Sequence, residues 1–334
     1  MGLVVVTGVA GFLGSHIAEA YLAKGWQVRG IDNLLGGSVE NVPEGVEFHN
    51  LDLDNLEAIT PVFVGADLVI HSACTAYEGL SVFSPALVVR NTVQISVNAI
   101  TATIRAGVPK FVYMSSMARY GDNLGHVFDE SLQPKPQDPY GIAKLSAERL
   151  LTNLAEVHKI DLVILVPHNI VGARQKFDDP FRNVASIMTN RMLQGKQPII
   201  YGDGSQQRCF SFIEDVIAPI MTACELPDAV GQVINIGPDE SPITILNLAE
   251  RLADIIGFEL QPIFMPGRPQ EVAVALCSSD KARKLLGYKT TVTLDEGLSD
   301  LVDWVRPRVK QFEYHLPIEI DSDLTPKTWT QRLI

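Results

Sequence analysis

LVVVTGVAGFLG, residues 3–14, decides the fold class. Leu3 to Thr7 are apolar or β-branched with no polar alternation, the pattern of a strand buried on both faces of a parallel sheet. Gly8, Gly11 and Gly14 follow at intervals of three and lead into a helical stretch, Phe12 to Lys24, which Gly25 closes. That order of strand, tight turn and helix offers free backbone N–H groups and the positive end of a helix dipole to a phosphate. A β-carbon at the glycine positions would block the approach. The rhythm continues downstream. Gln27 to Ile31, Val46 to Leu51, Asp67 to Ser72, Phe111 to Met114 and Asp161 to Val166 read as strands, with helices between them such as Val93 to Arg105 before Gly107. The expected architecture is α/β, a doubly wound parallel sheet.

Length and charge narrow the function classes. A chain of 334 residues fits one large or two ordinary domains, and 46% hydrophobic with 20% charged residues is globular composition. Its 27 Lys plus Arg against 39 Asp plus Glu leave 27 − 39 = −12, which phosphate backbones and anionic lipids repel. With no basic patch in the sequence, neither nucleic acid nor membrane is an expected partner. No basic leader precedes Leu3 and no apolar run approaches the roughly 18 residues of a membrane span, so a cytoplasmic location is expected. Cys74, Cys209, Cys224 and Cys277 are scattered without CxxC spacing and read as buried free thiols, so no metal is expected. After Val171 the strand–helix rhythm loosens through Val184 to Leu193, Pro198 to Tyr201, Val233 to Ile236 and Ile243 to Ile256. The organisation expected is a dinucleotide domain over 1–171, a smaller α/β lobe over 172–310 interleaved with it, and an extension over 311–334. Tyr314, Leu316, Ile318, Ile320 and Trp329 make that extension too apolar for a free tail; it should pack on the body or across an interface.

Asp32 ends the second strand eighteen residues past Gly14. A carboxylate there accepts both ribose hydroxyls and repels a 2′-phosphate, which favours NAD over NADP; the alternative is a turn residue. Asp52, beside Leu53, can meet the adenine amino group, with a solvated turn as its alternative. Downstream, Asp138 caps a helix from Pro139 to Lys159, so that Tyr140 and Lys144 lie one turn apart on one face. A phenol beside an ammonium and a positive nicotinamide is a plausible general base, although a YxxxK alone is also an ordinary surface pair. Ser115 and Ser116 follow the strand Phe111 to Met114, at the strand end where such folds bind ligands, or else they satisfy a turn.

Together these residues resemble the extended short-chain dehydrogenase/reductase superfamily, in its NAD-dependent nucleotide-sugar epimerase and dehydratase branch, nearest in pattern to UDP-hexose 4-epimerases. The resemblance covers about residues 2 to 306 and rests on TGVAGFLG, Asp32-Asn33, His71-Ser72-Ala73, MSSMARYG, PYGIAK, PHNIVG, IYGDGSQQRCF and RPQEV. It implies a Rossmann sheet and a catalytic triad of Ser116, Tyr140 and Lys144, with Ser115 near the nicotinamide. It also implies cofactor contacts from Gly8, Gly11, Phe12, Leu13, Gly14, Asp32, Asn33, Asp52, Leu53, His71, Ser72, Ala73, Asn91, Ser115, Tyr140, Lys144 and Pro167. Asn169, Asn183, Arg208 and Arg268 are implied to hold the nucleotide diphosphate, with Tyr201 bordering the base. Arginine forks suit that task in so acidic a chain. A homodimer through Val93 to Arg105 and Tyr140 to Lys159 is implied as well.

Dehydratases and decarboxylases of the branch carry acidic residues where this chain has Met117 and Ala118, and neither side chain can protonate a departing hydroxyl. The expected reaction is therefore inversion of the 4-hydroxyl of a UDP-hexose or UDP-N-acetylhexosamine through a 4-keto sugar. The resemblance also places Ala275, seven residues past Arg268, facing the sugar, where a methyl would leave room for an N-acetyl group. A 2-epimerase, a reductase, a uronate 4-epimerase and a catalytically silent NAD-binding regulator stay as alternatives. Three residues depart from the family pattern: His168, Cys209 and Arg119. Arg119 either reaches a substrate carboxylate, which would favour a uronic acid, or lies on the surface, the preferred reading.

Overall fold

Seven parallel strands form the main sheet of the computed structural model, which describes residues 2–121 and 127–334. They are β1 (Leu3–Thr7), β2 (Gln27–Asp32), β3 (Glu47–Asn50), β4 (Leu68–His71), β5 (Lys110–Met114), β6 (Asp161–Pro167) and an edge strand, Val233–Ile236. Their order is Val233–Ile236, β6, β5, β4, β1, β2, β3. The order reverses between β1 and β4, and that switch point is where a doubly wound sheet opens a crevice beyond its strand ends.

Continuous apolar strands bury both faces, and alternate residues go to opposite cores. Val5, Val69, Phe111 and Tyr113 join one cluster with Ile100 and Leu151, whereas Val4, Val6, Val112 and Met114 join the other with Ile17, Tyr21 and Ile220. The first helix, α1, runs Phe12–Ala23 and starts directly after Gly11. Residues 93 to 105 do not form one regular helix as the sequence suggests. A short helix, Pro85–Val89, passes through a π-type turn, Arg90–Gln94, into the α-helix Ile95–Ala106, which Gly107 ends in the left-handed region at φ 69. Such π turns insert an extra residue where a side chain must be redirected, and Asn91 lies in this one. The helix Pro139–His158 begins as its sequence predicts, with Asp138 accepting from Gly141 N at 2.9 Å.

Val233–Ile236, assigned by its sequence to the smaller lobe, instead completes the large sheet by pairing with β6 from Val233↔Ile164 to Ile236↔Pro167. A four-residue apolar run is buried best beside another parallel strand, whatever its distance along the chain. A third core, with Phe177, Met188, Phe210, Phe212, Leu248, Leu252 and Leu301, belongs to the segments after Val171. The last residues close a fourth cluster, in which Leu316, Trp329 and Ile334 pack on Tyr77, Leu80, Phe83 and Phe181. Trp329 meets Phe181 and Phe83 edge-on at 5.2 and 5.9 Å between ring centres. Replacing Trp329 by Ala should therefore lower stability by about 3 kcal/mol, read from the denaturant midpoint. Leu324→Ala, at an exposed position of the same segment, should change it by less than about 0.5 kcal/mol.

Candidate active site

The turn after β1 folds tightly on itself. Gly8 takes φ +74 and donates to the Ile31 carbonyl at 2.7 Å, and a β-carbon on Gly14 would overlap the Gly8 carbonyl oxygen. At this turn opens a cavity of about 460 Å³. Gly8, Gly11, Phe12, Leu13 and Gly14 line it, as do Asp32, Asn33, Asp52, Leu53, Ser72, Ala73, Asn91, Ser115 and Pro167. Asp32 accepts from Ala10 N at 3.0 Å and from Leu34 N at 2.7 Å. Burial raises its carboxyl pKa, against those two N–H groups and the charge of Arg182.

His71 is the exception among the expected cofactor contacts. It does not line the cavity but is fully buried, with Nδ1 2.7 Å from Thr7 Oγ1, Nε2 2.9 Å from Ser96 Oγ, and its ring stacked on Tyr113. Side chains alternate along β4, so Ser72 reaches the crevice and His71 turns into the core. Burial, reinforced by Lys144, lowers its pKa to about 3, so it is neutral.

Ser116, Tyr140 and Lys144 converge on the same cavity. Lys144 is only 1% exposed. Its Nζ donates to the Met114 carbonyl at 2.8 Å and lies 4.9 Å from the Tyr113 ring centre and 5.9 Å from that of Tyr140. Burial opposes its charge, but Cys74, Tyr113 and Tyr140 together outweigh burial and raise its pKa. Tyr140 is pushed up, first by burial and then by Cys74, while Lys144 and a hydrogen bond with Ser116 pull the other way. The two serines separate: Ser116 adjoins Tyr140, whereas Ser115 donates a short hydrogen bond to buried Glu148.

Asn169, Asn183, Tyr201, Arg208 and Arg268 line the cavity too. Arg268 pairs with Glu271 at 2.9 Å and covers one face of Tyr201 at 4.6 Å, while Arg208 donates to the Val272 carbonyl at 2.7 Å. An adjoining pocket of about 80 Å³ is bordered by Met117, Ala118, Asp138, Asn169, Arg208, Arg268 and Ala275.

Arg119 is neither on the surface nor free for a substrate carboxylate. It is 7% exposed and paired with Glu148 at 2.8 Å, since a guanidinium beside a buried carboxylate is best neutralised there. His168 and Cys209 are buried as well, bonded to the carbonyls of Pro238 at 2.8 Å and Glu240 at 3.4 Å. The departures at 119, 168 and 209 are thus packing features behind the cavity. Several lining residues escaped the sequence reading, among them Cys74, Tyr77, Glu78, Arg182 and Ile334. Arg182 stacks on Tyr77 at 4.7 Å and donates to the Gly36 carbonyl at 3.2 Å. Its adjacency to Asn183 was the one sequence signal for it. Tyr201 Oη also reaches Thr328 Oγ1 at 2.5 Å, which ties the 311–334 segment to the cavity wall.

A family model described as the NAD dependent epimerase/dehydratase family matches residues 4–237. The chain belongs to this family. A UDP-glucose 4-epimerase from Mycolicibacterium smegmatis is 30% identical over 317 residues, 90% of this chain and 98% of its own. The crystal structure of a Thermotoga maritima UDP-glucose 4-epimerase with UDP-glucose superposes with TM-score 0.86 at 31% identity, covering 92% of this chain and 100% of that one. A Bacillus cereus UDP-glucuronic acid 4-epimerase with UDP-glucuronic acid and NAD gives TM-score 0.83 at 29% identity, covering 91% and 99%. As an enzyme of the NAD-dependent epimerase/dehydratase family it uses NAD, and the cavity fits that group. The glycine turn leaves room for a pyrophosphate, Asp32 faces the cavity at the end of β2, and buried Asn91 Nδ2 in the cavity wall has no partner among the described residues. No helix among the described residues is long and apolar enough to cross a membrane.

Removing one partner of the buried Arg119–Glu148 pair should be costly. Arg119→Met is expected to lose roughly 3–5 kcal/mol of stability in chemical denaturation, and adding Glu148→Met should recover more than half of that loss.

Proposed function

We propose that the chain is a UDP-hexose 4-epimerase that inverts the 4-hydroxyl of a UDP-hexose or UDP-N-acetylhexosamine. The observation that carries this is one cavity lined by the glycine turn, the Ser116–Tyr140–Lys144 group and both Arg208 and Arg268. Such a lining offers partners for a dinucleotide, a reacting sugar and a second diphosphate. In this reading Gly8, Gly11, Gly14, Asp32, Asn33, Asp52, Ser72, Asn91 and Pro167 hold the cofactor. Asn169, Asn183, Arg208 and Arg268 grip the nucleotide diphosphate, with Tyr201 beside the base.

Tyr140 takes the proton of the sugar 4-hydroxyl, and Ser116 shares that hydrogen bond. Lys144, held protonated at the Met114 carbonyl, supplies the field that opposes the effect of burial on the phenol. When bound, NAD supplies the acceptor that takes hydride from the same carbon and returns it, and its positive ring adds a second cation near the phenol. The protein then holds a 4-keto sugar by its diphosphate alone. Met117, Ala118 and Ala275 contribute apolar side chains to the border of the adjoining pocket, and a ring lying against them is free to turn over before reduction. The same two side chains, Met117 and Ala118, argue against dehydration. Ala275, 7% exposed and paired across strands with Arg208, leaves space for an N-acetyl group. Ile142, Leu150 and Val157, exposed along one face of Pro139–His158, support a homodimer through that helix.

Proton NMR of UDP-glucose incubated with the purified protein, without added NAD, is expected to show the 4-epimer appear. The reduced-nicotinamide band should not accumulate; stoichiometric oxidation or reduction would identify a dehydrogenase or reductase instead. Tyr140→Phe should lower kcat by roughly 100-fold or more while bound NAD, released by denaturation and quantified, stays at the wild-type level.

A further inference from the structure

Charge is distributed unevenly around the cavity. The pocket next to Ser116 and Met117 is bordered by three carboxylates, Glu78, Asp138 and Glu271, against two guanidinium groups, Arg208 and Arg268. Arg268 is already paired with Glu271, Arg208 donates to the carbonyls of Gln207 and Val272, and Asp138 is engaged with Gly141 N. Glu78 differs from the other two acids. It opens the short helix Glu78–Ser81, borders both the main cavity and the adjoining pocket, and keeps solvent access. Arg119, the cation near the strand end that could have faced a sugar carboxylate, is spent on Glu148.

We infer that Glu78 is the charge filter for the sugar, an inference that rests on the nucleotide-sugar reading above. Its carboxylate accepts hydrogen bonds from the hydroxyls of a neutral hexose or N-acetylhexosamine and repels the carboxylate of a uronic acid. With Arg268 paired to Glu271, Arg208 held by backbone carbonyls and both assigned to the diphosphate in that reading, a uronate would add a fourth carboxylate to a pocket whose lining among the described residues offers it no unengaged cation. Like charges brought together in this way reject a wrong partner more effectively than weak contacts favour a right one.

The filter should depend on pH. The protein atoms packed around the Glu78 carboxyl, and then Asp138, push it up to about 7 although the side chain keeps solvent access, with Arg208 and Arg268 opposing and Glu271 adding to the rise. An acid raised in this way is largely neutral below that pH and charged above it, so rejection of uronates should strengthen as pH climbs through neutrality.

The test is to compare kcat/KM for UDP-glucose, UDP-N-acetylglucosamine and UDP-glucuronate by NMR, using protein with its own NAD, at pH about 6 and about 8. Wild type should favour the neutral sugars by roughly 100-fold or more at the higher pH and by less at the lower. Glu78→Gln should narrow that ratio at least about tenfold, chiefly through KM for the uronate, and abolish its pH dependence. Glu78→Asp, which keeps the charge, should retain the preference, and retained NAD reports that each variant is folded. Equal turnover of glucuronate by wild type, or a ratio unmoved by Glu78→Gln, overturns the filter alone. Conversion of none of the three sugars by wild type overturns the epimerase reading and the filter with it.

Discussion

One ammonium group, Lys144 Nζ, makes demands that much of the fold exists to meet. Burying a bare cation costs several kcal/mol even after relaxation, so it survives only where acceptors and electron-rich rings surround it. Here the Met114 carbonyl, the faces of Tyr113 and Tyr140, and Cys74 do so, and they come from β5, the Pro139–His158 helix and the loop after β4. Those three pieces must therefore meet at one point, and parallel order is what brings the ends of β4 and β5 side by side. His71 backs the same point from the core, neutral and stacked on Tyr113, which avoids adding a second buried cation. The charge beside the phenol and the packing that holds the sheet together are thus one arrangement.

What the sequence made legible follows from how local each signal is. β1, α1 and the glycine turn are encoded within about a dozen adjacent residues, and the Tyr140–Lys144 pair within one helical turn, so both could be read directly. His71 misled because it shares a short motif with Ser72 and Ala73, while strand alternation sends it to the opposite side. Val233–Ile236 was readable as a strand but not as a member of the large sheet, since its partner β6 lies more than sixty residues away. Glu78 and Arg182 carry no periodicity at all; only the closure of the chain over the crevice gives them a position. Arg119 was misjudged for a related reason, because its partner Glu148 sits on a different element and nothing in the sequence marks the two as a pair.

The Arg119–Glu148 pair also explains how adjacent serines come to differ. Glu148 accepts from Ser115 and is pinned by Arg119, so Ser115 is fixed toward the protein interior. Alternation along the strand end then leaves Ser116 facing Tyr140, with its own Oγ accepting from Ala118 N at 3.2 Å. A buried ion pair is an expensive way to hold one hydroxyl, but a rigid first serine is what gives the second a single direction.

The two ends of the cavity are built to opposite standards. At the end proposed for the nucleotide, segments distant in sequence interlock: Tyr201 bonds Thr328, Arg268 covers Tyr201, Arg191 donates to the Leu333 carbonyl at 3.0 Å, and Ile334 borders the cavity. Such cross-bracing gives few ways for a bound diphosphate to shift. Met117, Ala118 and Ala275 themselves are small or flexible and offer no directed hydrogen bonds, while Glu78, Asp138 and Glu271 border the same pocket. On the reading proposed here this asymmetry is itself the catalytic requirement, because inversion needs a handle that stays fixed while the ring it carries is free to present either face. A site that gripped the sugar as firmly as the nucleotide would bind well and return every hydride to the face it came from.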